Sequence, residues 1–304
     1  MVLLVEKFRC LKFPTRLDHP TNDDEALLAS LRAFRSDVSK FLTQILVESN
    51  PGSEFLSLEW FDKCLDLIPL VHRGFAKLVM DINYPMAKWD SNSADEYLNY
   101  SLDFLDLLNK VSSSLSHLGQ SKLSLAHGLS LFENSPALAS KYFEPIRPKD
   151  LGKDLKLNGR KRDEENHGSG KEFIIREGFL IMRATGILLL GFLISGLCSS
   201  GNPFLELRNS VGKLVDPSLK HLESILSREI SENGFIVKEV KEVNSAVASL
   251  VDHGAHDSAK ELRRRVDVLE RLIKNLGKKT DDLFSGILAA RDKLLGTIRH
   301  NQKE

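Results

Sequence analysis

The sequence predicts an all-α protein: an elongated bundle of long antiparallel helices, in two helical halves joined by a charged disordered linker. Apolar residues recur every three or four positions along extended stretches, which is the period of a helix that packs on one side. Helix-starting and helix-ending residues bracket these stretches, and no stretch alternates convincingly in the manner of a strand. Long helices connected by short turns are typical of a bundle.

The first half, residues 21–145, contains four predicted helices. The first follows Thr21, has acidic residues in its first turn, and stops at Asn50-Pro51-Gly52. Ser57 is a good N-cap for the second helix. The third helix is predicted over 94–117, and a shorter fourth over 121–132.

Residues 146–172 differ from the sequence on either side of them. Glycine and proline are interleaved with charged residues, and few apolar side chains remain to offset the entropy of ordering. We therefore predict a disordered linker here. The second half, 173–304, opens with the apolar segment 179–198 and continues with a helix capped by Asp216-Pro217. It ends in a long helix with a nearly heptad seam, as in a coiled coil.

The segment 179–198 has two interpretations. Ala184–Cys198 as a helix spans roughly 22 Å, which is short of a bilayer core of about 30 Å. Starting at Phe179 restores the length but places Arg183 inside, at about 2.5–3.5 kcal/mol if the charge is central. We favour the most buried helix of a bundle. The alternative is a membrane segment that includes Phe179, Ile187, Leu190, Phe192 and Cys198.

Charge is balanced overall but not locally. A formal net charge of zero argues against a nucleic-acid partner, which would require a basic excess. The N-terminal arm, residues 1–20, mixes apolar side chains with Lys7, Arg9 and Lys12, a pattern that could lie on an anionic membrane surface. Within the arm Cys10 is a candidate lipidation site. A second candidate basic surface for phosphate or lipid consists of Arg263, Arg264 and Arg265, although such a run is more often a solvated helix face.

No enzymatic motif stands out. The sequence has no P-loop, no dinucleotide fingerprint and no His-Glu-x-x-His pair, so we predict no catalytic residues, cofactor or metal site. Three widely spaced cysteines indicate a reducing, intracellular compartment. The apolar start at Met1–Val5 is too short for a secretory signal, and acidic residues from Asp18 onward argue against a plastid transit peptide.

Several stretches resemble the plant BYPASS family of helical proteins. They cover most of the chain outside the linker, and they are Leu56–Trp60, Asp81–Pro85, Glu96–Leu98, Leu131–Pro136, Met182–Ala184, Ile194–Gly196 and Leu288–Leu295. These motifs are spread out and mostly structural. They therefore indicate the family rather than a site.

The resemblance implies a role in development. BYPASS-type proteins restrain a mobile root-derived signal that otherwise arrests shoot growth, and the wider family includes a protein that contacts a subunit of the exocyst. We therefore expect a non-enzymatic regulator of root and shoot development that acts through helix-mediated protein contacts near a membrane. The cytoplasm with membrane association is the expected location, with a plastid as the alternative that the family implies. The alternative functions are an integral membrane protein anchored by 179–198, an exocyst-type trafficking adaptor and, least favoured, an enzyme of the signal pathway. The sequence leaves the oligomeric state open.

Overall fold

The computed structural model describes residues 22–47, 56–149, 157, 170–233 and 235–301, and none of these residues forms a strand. This confirms the predicted all-α class. The helices are α1 (Asn22–Val47), α2 (Leu58–Asp81), α3 (Ser91–Leu131), α4 (Pro136–Ala139), α5 (Gly170–Cys198), α6 (Asn202–Val211), α7 (Pro217–Asn233), α8 (Lys238–His253) and α9 (His256–Asn301).

Helix ends follow the capping residues of the sequence. Ser57 Oγ accepts a hydrogen bond of 3.1 Å from the Trp60 amide at the start of α2. The Asp216 carboxylate accepts hydrogen bonds from the amides of Ser218 and Leu219 at 2.9 and 3.3 Å, where α7 begins. Gly254 ends α8 in the left-handed conformation, with φ of 58°. These boundaries confirm the caps and the stop that the sequence predicted.

The predicted boundary between the third and fourth helices is wrong. Both predicted segments belong to the single helix α3, which runs for 41 residues through Gly119. One glycine inside a helix costs about 1 kcal/mol relative to alanine. The packing of α3 against α5 and α9 offsets that cost, so the helix continues.

Helix α5 lies at the centre of the fold. It runs antiparallel to α2, with Gly178 beside Leu78 and Gly196 beside Phe61. Helix α3 runs parallel to α5, because Phe104 lies beside Gly186 and Ser114 lies near Cys198. Helices α1, α6 and α7 also pack on α5. As a result, 21 residues of α5 are buried.

Helix α9 packs along α2, α3 and α8. It runs antiparallel to α3, since Lys122 pairs with Glu270 and Arg291 donates to Ser101. Two further contacts join α8 to the start of α2: Leu58 N donates to the Glu239 carboxylate at 3.0 Å, and Lys238 N donates to Leu56 O at 2.8 Å.

Helices from both sides of the predicted linker share one hydrophobic core. The predicted halves, 21–145 and 173–304, are therefore separate in sequence but interlocked in space. The reason is that α5 is apolar all round and needs cover that the second half alone does not provide. The described ends of the predicted linker are ordered: Ile146 exchanges two hydrogen bonds with Asn244 of α8, and Gly170–Glu172 form the first turn of α5.

Candidate interaction surface

The residues predicted for a membrane segment are all buried. Relative exposure is 6% or less for each of Phe179, Ile187, Leu190, Phe192 and Cys198. By length and composition α5 could cross a membrane, yet its apolar 18-residue window is 89% buried inside the protein. The helix is thus surrounded by other helices, which is the arrangement of a core helix.

Glycines let the neighbours of α5 approach closely. A methyl group added at Gly186 would lie 2.8 Å from Phe104 Cε2, and one added at Gly196 would lie 2.5 Å from Phe61 Cζ. At Gly191 the nearest atom would be Leu207 Cδ1, at 3.2 Å. A larger side chain at Gly186 or Gly196 would therefore force its neighbours to move, and one at Gly191 would require a smaller shift of Leu207.

A polar pair lies at the edge of this core, formed by the buried Tyr100 and the partly buried His72. His72 Nε2 and the Tyr100 hydroxyl are 2.9 Å apart, and the rings of Phe104 and Phe179 pack on the pair. Burial lowers the pKa of His72 to about 4, so its imidazole is neutral at physiological pH. Burial raises the pKa of Tyr100, Tyr97 raises it further, and the nearby Arg183 partly opposes the shift. The pair therefore acts as a neutral hydrogen bond at the edge of the core.

The predicted basic run on α9 is engaged within the protein. Arg264 donates two hydrogen bonds to Glu261, and Arg265 contacts both Glu261 and Glu242 of α8. Hydrogen bonds from the two arginines lower the pKa of Glu261 to about 2. Arg263 donates to the carbonyl of Leu129 at 3.3 Å. Acidic and carbonyl partners thus offset part of the positive charge that the sequence alone displays.

The remaining predicted site residues are in the N-terminal arm. Lys7, Arg9, Lys12 and the lipidation candidate Cys10 lie outside the described residues. The membrane role of the arm therefore stays a prediction.

An open groove lies on the surface between α3 and α9. It has a volume of about 520 Å³ and is lined on α3 by Ser112, Leu115, Ser116, Gly119, Gln120, Lys122 and Leu123. On α9 it is lined by Glu270, Ile273, Lys274, Gly277 and Asp281. The Lys122 Nζ atom lies 3.0 Å from a Glu270 carboxylate oxygen and joins the two helices at one end of the groove.

The glycines of this groove differ from those of α5. A methyl group added at Gly119 or Gly277 would meet no atom of the described residues within 4 Å. Beside them Leu123 is 61% exposed, whereas most other leucines of α3 are buried. The groove is therefore an open, partly apolar surface with free space beside both glycines.

The sequence contained a partial signal for this surface. Gly119 and Gly277 both interrupt strongly helical, apolar-periodic stretches, and neither is part of a turn dipeptide such as Asn-Gly or Pro-Gly. Such a glycine commonly has a packing reason, but only the antiparallel pairing of α3 and α9 brings the two together. Among the residues that the structure describes, no three His, Cys, Asp or Glu side chains cluster in a way that could hold a metal ion.

Comparisons with known proteins identify plant relatives. The chain is 26% identical over 300 residues to "Protein BPS1, chloroplastic" of Arabidopsis thaliana, a match that covers 90% of this chain and 84% of BPS1. It is also 29% identical over 117 residues to UPF0496 protein 4 of Oryza sativa subspecies indica and japonica. That shorter match covers 38% of this chain and 23% of the rice proteins.

The names of these relatives describe no enzymatic activity. No family model matches the chain, and no solved structure does. The long match to BPS1 extends across helices from both sides of the predicted linker. The resemblance to the BYPASS family that the motifs indicated is therefore confirmed at the level of a BPS-like plant family.

Proposed function

We propose that this protein is a non-enzymatic regulator of plant root and shoot development that restrains a root-derived mobile signal by binding other proteins through the α3–α9 groove. The similarity to BPS1 supports a plant regulatory role. The open groove between α3 and α9 is the observation on which the proposed protein–protein contacts rest.

A helix is the natural ligand for such a surface. The side-by-side helices α3 and α9 form two ridges with small residues between them. The side chains of a third helix can pack into the groove between these ridges. The groove offers glycine and serine at its floor and the exposed Leu123 at its edge. A bound helix would bury this leucine and fill the open space beside Gly119 and Gly277.

Membrane proximity is the second part of the proposal. The burial of α5 favours peripheral attachment through the basic N-terminal arm over a spanning helix. An exocyst-type trafficking complex is the alternative partner, and a plastid is the alternative location, since the name of BPS1 describes that protein as chloroplastic. Vesicle flotation tests the attachment through the N-terminal arm. The full chain should float with anionic liposomes, and a chain without residues 1–17 should not.

The central experiment is complementation of seedlings that lack this gene. Gly277→Leu fills the groove, so we expect it to fail to restore shoot growth. Gly286→Leu is the matched control, because Gly286 lies on the same helix with open space beside it and does not line the groove. Both changes favour the helix, since glycine is about 1 kcal/mol worse than alanine or leucine there. Equal rescue by the two variants would reject the groove as the functional site.

A further inference from the structure

We propose that the groove binds a second copy of this chain, with two α3–α9 pairs packed face to face about a twofold axis near Gly277. The inference rests on the proposed function and deepens it, because it assigns an occupant to the same surface. A twofold contact uses one patch twice, so the patch must be complementary to itself. Three features of the groove meet that requirement.

The charges of α9 are self-complementary. Lys274 and Asp281 line the groove, both are exposed, and they lie on either side of Gly277. Neither forms an ion pair within the described part of the chain. They are seven positions apart, or about 10 Å along the helix, which is too far for a pair within one copy. Two antiparallel α9 helices that cross at Gly277 place each Lys274 opposite the Asp281 of the other copy.

Small residues line the centre of the groove. Gly277 would lie at the axis, and Ser112, Ser116 and Gly119 line the facing part of α3. Small residues let two helix backbones approach closely. Gly119 and Gly277 each lower the helix propensity of the single chain relative to alanine. Among the residues that the structure describes, none lies close enough to require a glycine at either position, so a second copy supplies the missing packing reason.

An exposed leucine lies at one end of the groove, and another lies beyond the other end. Leu123 lines the groove next to the Lys122–Glu270 pair, and Leu288 is on α9 beyond Asp281, the last α9 residue that lines the groove. They are 61% and 41% exposed. A twofold rotation about Gly277 exchanges the two ends of the groove. It therefore brings Leu288 of one copy toward Leu123 of the other, and two apolar contacts flank the two ion pairs.

The charge balance of the groove favours a second copy over the basic N-terminal arm. The groove holds two lysines and two acidic residues, Lys122 and Lys274 against Glu270 and Asp281. A strongly basic segment has no net negative surface to bind there. A second copy of the groove has the same number of positive and negative side chains. The twofold axis reverses their order, so that Lys274 of each copy faces Asp281 of the other.

Charge reversal of the full chain tests this geometry. Lys274→Asp and Asp281→Lys should each weaken dimerisation roughly tenfold or more, because either change places like charges opposite each other twice. A mixture of the two variants should form a mixed dimer with wild-type affinity, since both pairs then become opposite in sign. The double variant should also recover. Sedimentation velocity up to about 100 µM measures the dissociation constants.

Lys220→Asp on α7, an exposed lysine outside the groove, is the control and should leave dimerisation unchanged. Thermal unfolding of each variant verifies that the fold is intact. A wild-type chain that stays monomeric, single reversals without effect, or a mixture that does not recover would each overturn the inference. A monomeric chain whose developmental activity is still abolished by Gly277→Leu would overturn the dimer and leave the proposed function in place.

Discussion

Helices α5 and α9 are both long and both contribute to the core, but they are enclosed to different degrees. All residues of α5 from Ala184 to Cys198 are buried, and neighbouring helices approach through its glycines. Helix α9 is amphipathic: an apolar seam that includes Leu262, Leu269 and Leu276 is buried, and polar contacts add to it, since Lys279 binds two aspartates of α2 and Arg291 donates to α3. The second half of α5 is thus covered on every side, whereas α9 keeps one open face.

This difference shows that glycine has a different structural role in each of the two places. The glycines of α5 are needed inside the chain, because a methyl group at Gly196 would overlap with Phe61. No contact within the described part of the chain requires the glycines of the groove. The residue is glycine in both places. Its neighbours decide whether it lies at a packed core position or on an open surface.

The largest expected effect comes from separating α5 from its partners. Expressed alone, residues 159–304 should aggregate, because the buried faces of α5 lose the cover of α1, α2 and α3. Co-expression with residues 1–158 should restore a soluble complex that contains the two fragments in equal amounts. Co-purification followed by light scattering measures this. A stable, monomeric 159–304 fragment would show that the two halves fold independently.

Matched glycine substitutions sharpen the comparison directly. Gly196→Ala should destabilise the fold by about 1–3 kcal/mol, since the added methyl group would be 2.5 Å from Phe61 Cζ. Gly277→Ala should stabilise the monomer by up to about 1 kcal/mol, because the helix gains propensity at an open position. Urea denaturation of the two variants measures both changes. Equal destabilisation would mean that the space beside Gly277 is not open.

A smaller effect is expected at a polar attachment of α9. Lys279 Nζ lies 2.8 Å from Asp62 Oδ2 and 2.6 Å from Asp66 Oδ2. Lys279→Met should cost roughly 0.5–1 kcal/mol, because these ion pairs are partly exposed to water. The cost should shrink in 1 M NaCl, where salt screens the pairs. Lys278→Met is the control, since this exposed neighbour has no ion pair among the described residues.

The smallest effect is expected at Arg264. Its two hydrogen bonds to Glu261 lie within one turn of the same helix, and its side chain is 58% exposed. Arg264→Ala should therefore leave the denaturation midpoint unchanged within error. A clear loss of stability would contradict the solvated position of this arginine and would point to a contact beyond the helix surface.

Much of the local structure was predictable from residues alone. Ser57, Asp216 and Gly254 cap or end helices because their side chains or backbone freedom satisfy orphan backbone groups, an effect that acts within one turn. Helix α3 shows the limit of this reasoning. Gly119 alone favours a break, but packing along both sides of the helix overrides that preference.

The sequence by itself determined the helical class, most helix boundaries and the resemblance to BPS-like plant proteins, since these follow from apolar period, capping residues and spaced motifs. Only the tertiary structure decided that α5 is surrounded by helices from both halves, that Arg265 contacts Glu242 of α8, and that Gly119 and Gly277 line one groove. The reason is physical. Capping and periodicity act over a few residues, whereas the burial of α5 and the shape of the groove depend on helices that are distant from one another along the chain.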